Sequence, residues 1–168
     1  MNDDLTEQEP AECGLFCAPT ASTIIQEREV DSPKAREKID ALLGHLMEMP
    51  QVEIPLQHFF AQGVYARQGV IKKGTLLIGA IKKISHINII TSGDISIFTE
   101  QGEQRITGPA TMVSAPGTKR VGYAHEDTVW TTIIGTDQTE VEKVEEQVLA
   151  KTYDDYLAYC KQLKSLEV

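Results

Sequence analysis

The sequence predicts a mainly β protein, an antiparallel sandwich or barrel with helices before and after it. Three observations carry that prediction. Nine short runs rich in Val, Ile, Thr and aromatic residues crowd residues 52–135. Gly, Pro, Ser-Gly or charged pairs separate them, with no helical period in between. Apolar residues recur at helical spacing only outside that stretch.

Residues 1–30 show no sustained period and contain Pro10 and Pro19, so an irregular arm is expected there. The following segment, DSPKAREKIDALLGHLMEM, places Ser32 as N-cap and Pro33 at the first helical position, where a missing N–H costs nothing. Ile39, Leu42, Leu43 and Leu46 form one apolar stripe, and Pro50 ends the helix. His45 lies beside the stripe and reads as a surface or packing residue. Residues 1–51 are thus an acidic arm plus one amphipathic helix.

Residues 52–136 form the β domain. Its runs are VEIPLQHFF, GVYARQGVI, TLLIGAI, INIIT, DISIFT, QRIT, ATMVSA, RVGYAH and TVWTTIIG. Thr91-Ser92-Gly93-Asp94 and Glu100-Gln101-Gly102-Glu103 read as hairpin turns. Residues 137–168 are a helical extension. Val141, Val144 and Val148 share one face, and Tyr153, Tyr156, Leu157, Cys160 and Leu163 continue the pattern. These aromatic residues read as packing against the barrel or a second subunit.

The net charge of −9 is unevenly placed. Residues 1–13 hold five acids and no base, and residues 137–168 hold eight acids and four lysines. Within 63–136 eight basic residues face five acidic ones. An acidic chain argues against general nucleic-acid binding, which is built from Lys and Arg neutralising phosphates. A mildly basic centre leaves room for a small anion. Neither a membrane-spanning apolar run nor a secretory leader is visible, so a cytoplasmic protein is expected. Cys13, Cys17 and Cys160 are an odd number with no zinc-type spacing, which predicts free thiols.

Residues 74–93, GTLLIGAIKKISHINIITSG, and the later SAPGTKR carry a resemblance to the cupin superfamily. That family's first motif runs Gly, five residues, His-x-His, three or four residues, Glu, six residues, Gly. Counted from Gly74 the frame closes on Gly93, with Ala80, Lys82 and His86 at the ligand positions. The second motif, anchored on Gly117, puts Arg120 at its histidine position. Anchoring on Pro116 would instead bring Val121 and His125 into the motif. The glycine anchor is preferred because the turn needs glycine's backbone freedom. HFFAQGVYARQ, SAPGTKR and YAHEDTVW also resemble short cupin-domain proteins encoded by bacteriophages. The resemblance implies a cupin-like antiparallel jelly-roll barrel, a phage source with the host cytoplasm as its location, and homodimers formed through edge strands.

Positions 82, 86 and 88 share parity, so Lys82, His86 and Asn88 should face one side of a strand. With Arg120 they make the candidate ligand-binding set. Lysine and arginine repel a divalent cation, so no metal or other cofactor is expected; the metal alternative would use His86 and His125. Two cations beside a histidine favour phosphate, carboxylate or a nucleotide.

The leading expectation is a metal-independent binding module, not an enzyme, holding a small anion or contacting a host or virion protein. One competing reading is a cupin enzyme, metal-dependent or performing acid–base chemistry on a sugar nucleotide. Acid–base work would need Asp94, Glu126 or Asp127 beside His86. The other is a purely structural barrel, with Arg120 bound to Glu126 or Asp127 across a turn. His58 reads as a core-edge residue, and Trp130 as core more than stacking platform.

Overall fold

The computed structural model describes residues 23–26, 33–99 and 102–166. In chain order the elements are β1 (Thr23–Gln26), α1 (Pro33–Met47), β2 (Leu56–Ala61), β3 (Val64–Ile71), β4 (Leu76–Ile78), β5 (Ile81–Lys82) and β6 (His86–Ser92). They continue with β7 (Asp94–Thr99), β8 (Gly102–Thr107), β9 (Ala110–Ser114), β10 (Val121–Ala124), β11 (Thr128–Gly135), α2 (Val141–Val148), β12 (Leu149–Ala150) and α3 (Tyr153–Leu166).

A six-stranded sheet in the order β1-β9-β6-β11-β3-β2 faces a four-stranded sheet in the order β4-β10-β7-β8, and β5 pairs with β12. Every pairing is antiparallel except β1 with β9. This is the expected mainly β arrangement of antiparallel sheets, with one helix before it and helices after. Alternation along the strands does the work. Ile95, Ile97 and Thr99 point inward from β7 while their neighbours stay partly exposed. Ile71, Ile90, Ile95, Ile97, Ile106, Ala110, Met112 and Ala124 form the core between the sheets.

Four sequence expectations need correction. Residues 1–30 are not irregular throughout, because Thr23–Gln26 adds a parallel edge strand alongside Ala110–Val113. Backbone pairing to an open edge needs no period in the sequence, so a four-residue run can supply it. The first β run is shorter than expected, since residues 52–55 precede β2 without pairing. The Thr91–Asp94 segment joins β6 to β7, but these strands lie in different sheets, so it is a corner and not a hairpin. Gly93 makes the corner at φ +101°, where a Cβ would sit 2.5 Å from the Asp127 carbonyl oxygen. The fourth correction concerns the C-terminal pattern, which is interrupted by β12.

The β7–β8 hairpin is formed, with Thr99 opposite Gly102; residues 100–101 lie outside the described residues. So do the proposed N-cap Ser32, the acidic start of the chain, Cys13 and Cys17. Cys160 is a partly buried free thiol.

The C-terminal elements pack into the barrel. Val144 and Val148 of α2 are buried against Tyr65 and Ile134, closing one end of the core. Ala150 and Tyr156 bury Ile81 of β5, with Tyr153 and Cys160 packed against them. Helix α3 starts on a reciprocal cap: the Asp155 N–H donates to Thr152 Oγ1 at 3.1 Å, and the Thr152 N–H to Asp155 Oδ2 at 3.0 Å. Helix α1 buries Ile39 and is tied to the rest by Asp40 with Lys119 and by Arg36 over the Tyr153 ring. None of the described helices is long and apolar enough to cross a membrane.

Candidate functional site

A cavity of about 340 Å³ lies between the two sheets. Lys82, His86, Asn88 and Arg120 all line it, together with Ala80. The shared parity on β6 operates as expected: His86 and Asn88 are buried while Ile87 between them is exposed. Arg67, Thr118, Trp130 and Thr132 are also in the polar lining, and Ile71, Leu77, Ile95 and Ile97 are among the apolar residues beneath.

Lys82 is 9% exposed. Its backbone is clamped on two sides. The Gly117 N–H donates to the Lys82 carbonyl at 2.8 Å, and β12 pairs Leu149 with Lys82. Gly117 has φ +78°, and an added Cβ would lie 2.4 Å from Tyr156 Cε1. Both facts demand glycine, which supports the glycine-anchored register with Arg120 at the cavity. Burial pushes the Lys82 amine down to about 7, and the guanidiniums of Arg67 and Arg120 push the same way. Among the described residues Lys82 Nζ has neither hydrogen-bond nor ion-pair partner, and no Asp or Glu lines the cavity.

His86 is held neutral, pushed down to about 3 by burial first and then by the Lys82 charge. Its Nδ1 lies 3.2 Å from the Ile84 carbonyl, to which only a protonated Nδ1 can donate. That assigns the proton to Nδ1 and leaves the lone pair on Nε2.

Asn88 is the hub of the polar wall. Its Oδ1 accepts from Trp130 Nε1 at 3.0 Å and from Thr132 Oγ1 at 2.9 Å, while Nδ2 donates to Ser114 Oγ at 2.8 Å. Ser114 Oγ also accepts from Arg120 Nη2 at 2.6 Å, and the Arg120 guanidinium sits 5.9 Å from the Trp130 ring centre. A buried chain of this kind fixes each member's direction because an unmade bond is costly. Arg67 is tethered only loosely, 3.4 Å from the half-exposed Glu145.

Several sequence-level alternatives separate in space. His125 does not line the cavity; its Nε2 is 2.9 Å from Ser96 Oγ, and its ring packs edge-on to Tyr123. His86 and His125 therefore do not share a site. Asp127 is bound by Lys72 Nζ at 2.7 Å and the Lys73 N–H at 2.9 Å, not by Arg120. Asp94 is held by Arg105, so no carboxylate orients His86 among the described residues. His58 stacks on Tyr65, its Nδ1 2.7 Å from the phenol oxygen.

A metal does not fit the cavity. Among the described residues His86 is the one lining side chain of a usual ligand type, and Lys82, Arg67 and Arg120 line the same cavity. Among the described residues no three His, Cys, Asp or Glu side chains are grouped to hold an ion.

The sequence reading missed Arg67, Ser114 and Thr132, and it undervalued Trp130 as a cavity wall. Arg67 had a legible signal. It shares parity with Tyr65, Gly69 and Ile71, all of which are buried.

No family model and no curated protein matches the chain. Solved structures similar to it include ectoine synthase from P. lautus, with 15% identity, 59% of this chain and 75% of that chain covered, and a TM-score of 0.49. A cupin 2 conserved barrel domain protein from Leptotrichia buccalis shares 12% identity over 61% of this chain and 50% of its own, at 0.46. An RmlC-like cupin from Shewanella frigidimarina shares 14% over 51% and 84%, at 0.43. No activity passes across likenesses this distant.

Proposed function

We propose that the chain is a metal-independent binding module for a small organic anion, held inside the barrel. The observation that supports it most is the lining itself: three cationic side chains and no carboxylate among the described residues. Arg67 and Arg120 both disfavour the charged form of Lys82, and an anion entering the cavity offsets that repulsion. The isoleucine and leucine floor suits a carboxylate carried on an apolar body better than a strongly hydrated phosphate.

The test is a thermal shift. Carboxylates raise the melting temperature, divalent metals do not, and Lys82→Ala with Arg120→Ala abolishes the shift. Absence of a shift with every anion tried would leave a structural barrel.

A second reading, self-association, has its own support. Registered pairings align Phe59, Ala66, Ile133, Ile87 and Val113 in one row across the outer face of the six-stranded sheet. Phe59 is 51% exposed, Ile87 40% and Val113 36%. A second copy of the chain is the occupant we favour, and a host or virion protein is the alternative. The three phage-like segments support a phage gene as the source.

A further inference from the structure

We infer that Lys82 is a reactive amine that condenses with the carbonyl of an aliphatic oxo acid held in the cavity. The inference rests on the anion-binding reading above and goes beyond it, from holding a ligand to bonding with it.

Four observations converge. The amine belongs to a buried lysine that lines the cavity, without a hydrogen-bond or ion-pair partner among the described residues. The other charged groups lining that cavity among the described residues, Arg67 from β3 and Arg120 ahead of β10, are cationic. His86 from β6 is neutral, and the Glu145 carboxylate of α2 is engaged with Arg67 at 3.4 Å. Desolvation beside other cations is the arrangement that keeps a lysine unprotonated and nucleophilic at neutral pH. The strand that carries the lysine is fixed by Gly117 and Leu149, so its approach is set in advance.

The same walls choose the partner. The guanidiniums neutralise a carboxylate, and Leu77, Ile95 and Ile97 accept an aliphatic body. That leaves the carbonyl for the amine. The Lys82 Nζ lone pair forms a C–N bond while the carbonyl π electrons move to oxygen. A proton passes from nitrogen to oxygen, giving a carbinolamine. The C–O bond then breaks, and the second amine hydrogen leaves with it as water. The product is an imine, and no oxidant, reductant or further co-reactant is consumed.

Reductive trapping tests this on the full chain. The protein is incubated near neutral pH with 4-methyl-2-oxopentanoate and cyanoborohydride, then mapped by peptide mass spectrometry. Lys82 should be labelled far ahead of the lysines on the protein surface. Excess 2-hydroxy-4-methylpentanoate, the same shape without the ketone, should protect it and raise the melting temperature. Lys82→Arg and Lys82→Met should lose the label while each variant still melts cooperatively. Labelling spread over exposed lysines, or unchanged in the Lys82 variants, overturns the inference. A hydroxy-acid shift with Lys82 unlabelled overturns the imine and keeps the anion site. Labelling of Lys82 by 3-methylbutanal alone, with no hydroxy-acid shift, overturns oxo-acid selection together with the anion reading.

Discussion

Leu149 and Lys82 sit opposite each other in an antiparallel pair of strands two residues long. The site lysine is therefore held by a segment that follows the barrel in sequence. The Lys83 N–H also donates to the Val148 carbonyl at 2.7 Å, extending the clamp. Beneath it the Tyr156 ring covers both Ile81 and Gly117.

This arrangement makes Tyr156 a positioning residue. Tyr156→Ala should cost about 3 kcal/mol, as removal of a buried aromatic ring does. It should also weaken carboxylate binding without touching the ligand. Urea melts and titration of the same variant check both effects. Gly117→Ala should destabilise by about 2 kcal/mol, since φ +78° and the ring's proximity both oppose a Cβ.

Lys82 should imprint itself on the pH dependence of stability. Its folded pKa, about 7, lies below the unfolded value of 10.5. The unfolded chain thus binds more protons between those values, and stability rises with pH across that window. His86, at about 3 against 6.5, adds a similar rise between those lower limits. Below 7 the full cost of burying a charged Lys82 is present, on the order of several kcal/mol. Lys82→Met should therefore raise the melting temperature at pH 6 and flatten the profile above 7. Thermal melts from pH 5 to 10 read this directly.

Asn88→Ala should cost roughly 2–3 kcal/mol, because the Trp130, Thr132 and Ser114 side chains lose their shared, buried partner. Asn88→Asp should act differently. It places a carboxylate among the three cations, substitutes for the ligand, and removes the thermal shift given by added carboxylates. Titration of the two variants separates loss of the network from internal competition.

If two copies associate through the outer sheet face, Phe59→Lys should shift sedimentation from dimer to monomer and leave the melting transition cooperative. Sedimentation velocity on both proteins decides it. An unchanged sedimentation coefficient places the partner elsewhere.

Much of the candidate site was legible because strand parity is strict. His86 and Asn88 needed only a count by twos along β6, Lys82 lies on the separate strand β5 across the break at residues 83–85, and Gly117 identified Arg120 through the turn it must make. Arg67 was hidden because its strand carries no motif, although Tyr65 and Ile71 on the same face marked its direction. Ser114 and Thr132 were not legible, since their importance arises from bonds to Asn88 across two strand pairings. The strand at Thr23–Gln26 and the break at Leu149–Ala150 were missed for a common reason. Each is only a few residues long and is defined by its partner's edge, not by a pattern of its own. The corner at Gly93 shows the same limit, as a turn sequence states that the chain reverses but not which sheet receives it.

Calorimetric titration with 2-hydroxy-4-methylpentanoate and its uncharged amide tests the anion-binding cavity most directly. The carboxylate should bind and the amide should not. Affinity should fall about tenfold or more in Arg67→Met, the scale of one lost charge-assisted contact. Equal binding of acid and amide, or an affinity unchanged by Arg67→Met, would contradict it.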